Sequence, residues 1–337
     1  MTTRLSYTRL SGLGFLLALL VGCQSGSDQS PATNASRGAK AKAVVRIGLV
    51  YTAPHTWVSQ VAEGFKQGLK SELKGTEVVI IEKHAGGVWS QFGPTVDAVL
   101  AQNLDLIAPI TTPISQLALK GAPATVPVCF LGVTDPLGAG LIASVEKPEK
   151  STGVSDLAPF KKNLEFIRKT LPNAKVIGFP YHPGDQPALF GLQQVKRFAP
   201  EFGFQIREKT VSSKAEVSAA GLDLAGSVDC FLIGSDNLMF EAAPDLVTAA
   251  RQNKKPVFAC DSTSIKSGAI GGYTIDYPQV GLEGAKIAAR ILRGEPAGII
   301  PVLILNEGNL ELNLESAKSF GVEFPEAAVK AATVVYR

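Results

Sequence analysis

Short apolar runs recur along the chain from Val44 onward, separated by longer stretches in which apolar and polar residues mix. Val44 to Val50 (VVRIGLV), Glu77 to Glu82 (EVVIIE), Leu106 to Ile110 (LIAPI) and Val126 to Gly132 (VPVCFLG) are too short for helices and read as buried strands. Between them, Trp57 to Lys74 sets Val58, Val61, Phe65 and Leu69 on one helical face, and a shorter helix runs through Val96, Val99 and Leu100. The alternation predicts an α/β fold with a doubly wound parallel sheet. A second series starts after Thr152-Gly153-Val154-Ser155-Asp156. Its helices carry Leu164, Ile167 and Leu171, then Leu189, Leu192, Val195 and Phe198, then residues 215–224 and 243–252. Its strands are AKVIGF, FQIREKTV, CFLIG and PVFAC. A helix from Val280 to Leu292, strand PVLIL and helix LESAKSFG close the chain. Two copies of one open architecture in tandem predict two similar lobes with a cleft between them.

Ligands of open α/β sheets bind at the carboxyl ends of strands, and two such ends stand out. In DLIAPITTPISQ (Asp105 to Gln116), Thr112 before Pro113 predicts a hydroxyl N-cap with proline at the first helical position. The free N–H groups of that turn, beside Thr111, Thr112 and Ser115, make an anion site. DCFLIGSDN (Asp229 to Asn237) repeats the device with opposite charge, ending in Asp236 at an exposed tip. Together they suit a small zwitterion held between the lobes. The competing reading is two ordinary strand-to-helix turns, with Asp236 as an N-cap. Trp89, in a glycine-flanked loop, is a candidate ligand contact; Trp57 is expected to pin its helix to the core, and His182 to sit in a surface turn.

The N-terminus bears on where the protein works. Arg4 and Arg9 form a positive segment, Leu13 to Val21 an apolar one too short to span a bilayer comfortably, and Leu20-Val21-Gly22-Cys23 a cleavage site. Residues 1–23 therefore read as a signal peptide. Residues 24–43 are rich in Ser, Ala and Gly and read as a flexible tether of about 25 Å. The net charge of +3 falls to +1 without residues 1–22, which carry two arginines and no acid, and that argues against a nucleic-acid partner. Of the four cysteines, Cys129, Cys230 and Cys260 lie in apolar runs and are expected as free buried thiols. Three histidines without ligand spacing and no CxxC give no metal site, and no cofactor is expected.

With the cleft argued, further motifs fall into place: EGFKQGL (Glu63 to Leu69), TTPISQ, VTDPLGAGLI (Val133 to Ile142), TGVSD (Thr152 to Asp156), GSDN (Gly234 to Asn237), PVFACD (Pro256 to Asp261) and LNLESAKSFGV (Leu312 to Val322). Their order and spacing resemble the type I periplasmic substrate-binding proteins of ABC importers, nearest the group that includes tryptophan- and tyrosine-type binders. LVGC resembles the bacterial lipobox, which implies a lipid on Cys23 and an extracytoplasmic, membrane-anchored monomer serving an ABC permease. The resemblance implies a Venus-flytrap fold with a hinge of three crossovers: residues 44–153 with 275–295 in one lobe, and 154–274 with 296–337 in the other. It further implies that Thr112, Ser115 and Gln116 hold a solute's carboxylate and Asp236 its ammonium, with Asp135, Asp156 and Asp261 at the rim. Tyr181 and the following His-Pro-Gly-Asp-Gln-Pro turn fall where side chains of solutes are contacted. This turn departs from the Asn-Pro usual in the family, as Thr52-Ala53-Pro54-His55 departs in the early loop.

Three functions compete: a solute receptor binding an amino acid, aromatic ones included, or a neutral nucleoside or sugar; a sensing lipoprotein coupled to a signalling partner; and an enzyme. The chain has no GxSxG, HExxH or P-loop, so the common routes to an enzyme are missing.

Overall fold

The computed structural model describes residues 44–337; Cys23, the signal segment and the tether lie outside the described residues. The first apolar runs become β1 (Val44–Tyr51), β2 (Glu77–His84), β3 (Leu106–Pro109) and β4 (Val128–Leu131), with α1 (Thr56–Glu72), α2 (Phe92–Leu100) and α3 (Thr112–Gly121) between them. β5 (Ser151–Asp156) completes this run, and β11 (Leu303–Leu305) joins it at the edge. The sheet order is β11-β5-β4-β3-β1-β2, parallel throughout.

The second sheet takes β6 (Val176–Tyr181), β7 (Gln205–Thr210), β8 (Cys230–Ile233), β9 (Val257–Ala259) and β10 (Gly271–Ile275), followed by β12 (Gly308–Asn313) and β13 (Val334–Tyr336). Its order is β13-β12-β10-β9-β8-β6-β7. Every pair is parallel except β10 with β12, so the all-parallel expectation fails at one rung. Helices α4 (Phe160–Thr170), α5 (Gln186–Phe198), α6 (Lys214–Ala225), α7 (Asn237–Gln252) and α8 (Ser262–Lys266) link these strands. α9 (Tyr277–Leu292) returns to the first lobe, and α10 (Leu314–Ser319) and α11 (Glu326–Ala331) flank the last strand. Two lobes of parallel-sheet α/β type are thus joined by three chain crossings, after β5, β10 and β11.

The crossings differ from the expected boundaries. The strand containing Gly153 runs on to Asp156 within the first sheet, and PVLIL pairs there through Leu303 with Val154 rather than in the second lobe. β5 reads as polar, yet it is buried because its hydroxyls find backbone acceptors. Ser151 Oγ donates to Leu141 O at 2.7 Å, and Thr152 Oγ1 to Ile300 O at 2.8 Å.

α1 and α9 pack with their backbones in near contact. A Cβ on Gly64 would strike the carbonyl oxygen of Pro278, and one on Gly281 the carbonyl oxygen of Val61. Only glycine permits that approach, which fixes Trp57 and Tyr277, one turn before Val61 and Gly281, with ring centroids 5.1 Å apart. Cys129, Cys230 and Cys260 are free and buried, as the apolar runs around them imply. Among the described residues no helix is long and apolar enough to cross a membrane.

Candidate functional site

Three helices start at the cleft with proline in their first turn: α3 (Thr112-Pro113), α5 (Gln186-Pro187) and α9 (Tyr277-Pro278). Proline is harmless there because first-turn N–H groups have no helical acceptor. Around these starts lies a narrow recess lined from both lobes. The first lobe contributes Trp57, Thr111, Thr112, Gly132, Thr134, Asp156 and Tyr277. The other wall is Pro187, Ser235, Asn237 and Phe240, with Ala158 on the segment that crosses between the lobes.

The helix cap falls one residue earlier than expected. Thr111, not Thr112, is the N-cap of α3, at φ 78° and ψ 153°. That conformation costs a β-branched residue about 1–3 kcal/mol and tends to persist where function requires it. Ser115 Oγ donates to Thr111 O at 2.7 Å, so this hydroxyl holds the turn in shape and does not line the recess. Gln116 lies outside as well, with Nε2 donating to Ala139 O at 3.0 Å. Two polar groups on the recess wall, Thr111 Oγ1 and Trp57 Nε1, are buried without a hydrogen bond from the protein. Buried polar atoms are rarely left so.

Asp156, the last residue of β5, is the one charged residue on the recess wall. Thr134 Oγ1 donates to its Oδ1 at 3.3 Å, and burial pushes its pKa up to about 7. Tyr277 is raised well above the usual phenol range, chiefly by burial and next by the charge of Asp156. Trp57 also meets Phe240 of the opposite lobe edge-on, at 6.1 Å between centroids. The recess therefore offers one carboxylate, the start of a helix, and three aromatic rings, with no lysine or arginine on its wall.

Asp236 has the other of its two foreseen roles. It is 1% exposed rather than at an exposed tip, and its Oδ1 caps α7 by accepting from Leu238 N (2.9 Å) and Met239 N (3.0 Å). Its Oδ2 accepts from His182 N at 2.6 Å, and Asp236 does not line the recess. Burial and the neighbouring Asp185 push its pKa up, while Asp185 is occupied by Asn237 N and Nδ2. Asp261 caps α8 through Ser264 N at 2.8 Å, and Tyr181 ends β6; neither lines the recess. Asp135 accepts from Gln186 Nε2 at 3.1 Å, and Trp89 stacks on His182; neither lines the recess.

Of the nine expected residues the recess contains Thr112 and Asp156. Thr134, Asn237, Phe240 and Tyr277 were not among the expected contacts; Thr111 was expected beside the anion site, and Trp57 chiefly as packing. The repeated X-Pro helix start is the signal that finds Thr112, Pro187 and Tyr277 together. Among the described residues no three His, Cys, Asp or Glu side chains are grouped to hold a metal.

Residues 46–336 match the model of the ABC transporter substrate binding protein family, and the chain belongs to that family. It is a family of extracytoplasmic solute-binding proteins rather than enzymes. The chain is 29% identical over 310 residues to a tyrosine-binding protein of Clostridioides difficile, covering 91% of this chain and 89% of the relative. Its fold overlays with a TM-score of 0.81 on an ABC domain from Streptococcus pneumonia in complex with L-Trp, at 25% identity, covering 86% of this chain and 99% of the other. The ligand-free, open structure of a substrate-binding protein from Clostridium difficile matches at 27% identity over 87% and 99% of the two chains, with a TM-score of only 0.67. More distant matches, such as a leucine-binding protein of Thermotoga maritima at 14% identity, share the type I periplasmic binding fold.

Proposed function

We propose that this protein is the lipid-anchored receptor of an ABC importer and binds an α-amino acid with an aromatic side chain. The observation that carries the reading is that Asp156 and the α3 start line the same aromatic-walled recess. The solute's ammonium pairs with Asp156. Its carboxylate takes the first-turn N–H groups of α3, with Thr111 Oγ1 and Trp57 Nε1 as donors. Its ring lies among Trp57, Phe240 and Tyr277. Two buried charges of one solute are tolerable because each meets hydrogen bonds. Relatives that bind tyrosine or tryptophan support the assignment. Cys23, as the lipid-bearing residue, would tether the body as a monomer beside its permease.

The test is calorimetry of residues 44–337 with L-tyrosine, L-tryptophan and L-phenylalanine, against tyramine and a panel of nucleosides and sugars. Binding of an aromatic amino acid, with tyramine much weaker, is expected. Binding of a sugar or nucleoside alone would overturn the reading.

A further inference from the structure

Three pairs of side chains cross the cleft outside the recess, each with one member on either lobe. His55 Nε2, at the start of α1, meets Glu241 Oε1 of α7 at 3.1 Å. Trp89 lies parallel to His182, at 5.0 Å between centroids and 7° between planes. Gln186 Nε2 of α5 donates to Asp135 Oδ2 at 3.1 Å, while Gly138 N fixes the other carboxylate oxygen at 2.9 Å. None of the six lines the recess.

We propose that these pairs form a latch that sets the receptor's affinity without touching the solute, an inference that rests on the recess being the solute site. Trp89 is prepared for the role. It is 37% exposed, yet Phe92 of its own lobe stacks behind it at 5.0 Å, so its ring is held out for His182. The loop that presents it turns through Gly86 (φ 64°) and Gly87 (φ 78°), and Gly87 packs directly on the Glu241 carboxylate. A Cβ there would lie 2.5 Å from Glu241 Oε1, so the first two pairs meet at one point. All three contacts vanish when the lobes part, so they stabilise only the closed form. Apparent affinity is the intrinsic affinity scaled by the closed fraction, and each pair lost lowers that fraction.

The experiment compares the parent with Trp89→Ala, His182→Ala, their double variant and Trp89→Phe. Without solute, small-angle scattering of Trp89→Ala is expected to show a larger radius of gyration than the parent. With L-tyrosine or L-tryptophan, its apparent Kd is expected to rise about three- to tenfold, with faster dissociation. The double variant should be no worse than either single one, and Trp89→Phe should recover most of the loss. Additive losses in the double variant, or an unchanged radius with an unchanged Kd, would overturn the latch. If neither amino acid binds the parent, the solute reading fails while the solute-free scattering still decides the latch.

Discussion

If Asp156 receives the solute's ammonium, binding must be linked to its proton. Burial pushes its pKa from 3.8 to about 7, so near neutrality the solute-free site is about half protonated. A cation binds only the ionised form. With a pKa near 7 that form falls from nine-tenths of the population at pH 8 to about one-tenth at pH 6, so Kd should weaken about tenfold across that interval. Neither the ammonium nor the carboxylate of an amino acid titrates there, so the change belongs to the protein. Calorimetry in two buffers of different ionisation heat should count about half a proton released per solute at pH 7. Asp156→Asn should weaken binding by about 2–5 kcal/mol and flatten the pH response. Asp185, Asp236 and Asp261, also raised by burial, remain in that variant and report any residual slope. The stability of the solute-free protein should move the opposite way. A carboxyl raised above its unfolded value contributes fully below about pH 4, and that contribution fades as pH rises through about 7. The loss is at most about 4 kcal/mol for Asp156. The protein without solute should therefore melt higher at pH 5.5 than at pH 7.5, and solute should restore more at pH 7.5. A Kd that stays flat from pH 6 to 8, or an Asp156→Asn variant that binds as tightly as the parent, would refute the ion pair.

The apolar runs made the two lobes legible because buried parallel strands such as Leu106–Pro109 and Cys230–Ile233 leave little else for such short stretches to be. The same rule misplaced the crossings. Ser151–Asp156 looks like a loop but is an interior strand whose hydroxyls bond to carbonyls, while Leu303 and Ile304 look like core and are over a third exposed at a sheet edge. The site was harder to read for a related reason. A carboxylate just before a helix serves a cap or a ligand equally well in one dimension. What separates Asp236 from Asp156 is that three backbone N–H groups from other residues fill the first, while a threonine hydroxyl and its own backbone N–H meet the second. Tyr277 and Phe240 were out of reach because they meet Trp57 only after the chain has crossed between lobes, a contact that no local pattern carries.

Asp236→Ala should act on folding rather than recognition, since it strips three N–H groups of their acceptor. A loss of about 1–3 kcal/mol in urea denaturation is expected, with Kd rising by no more than loosening of the His182 pair gives, about tenfold; a loss beyond that in a fully folded variant would return Asp236 to the site. Cys23→Ser in the full chain should move the protein from the membrane to the soluble extracytoplasmic fraction; unchanged fractionation would count against the lipid anchor. Gly281→Ala tests how the aromatic wall is built. Its methyl group would land on the carbonyl oxygen of Val61 and lie 2.5 Å from Phe65 N, and backbone cannot turn aside as a side chain can. The α1–α9 pair must therefore separate, at about 1–3 kcal/mol. The wedge sits one turn from both Trp57 and Tyr277, whose 5.1 Å contact depends on that spacing, so affinity should fall along with the melting temperature. If stability falls but Kd holds, the two rings do not need each other to shape the recess. If neither changes, the close approach of the helices does not set the wall.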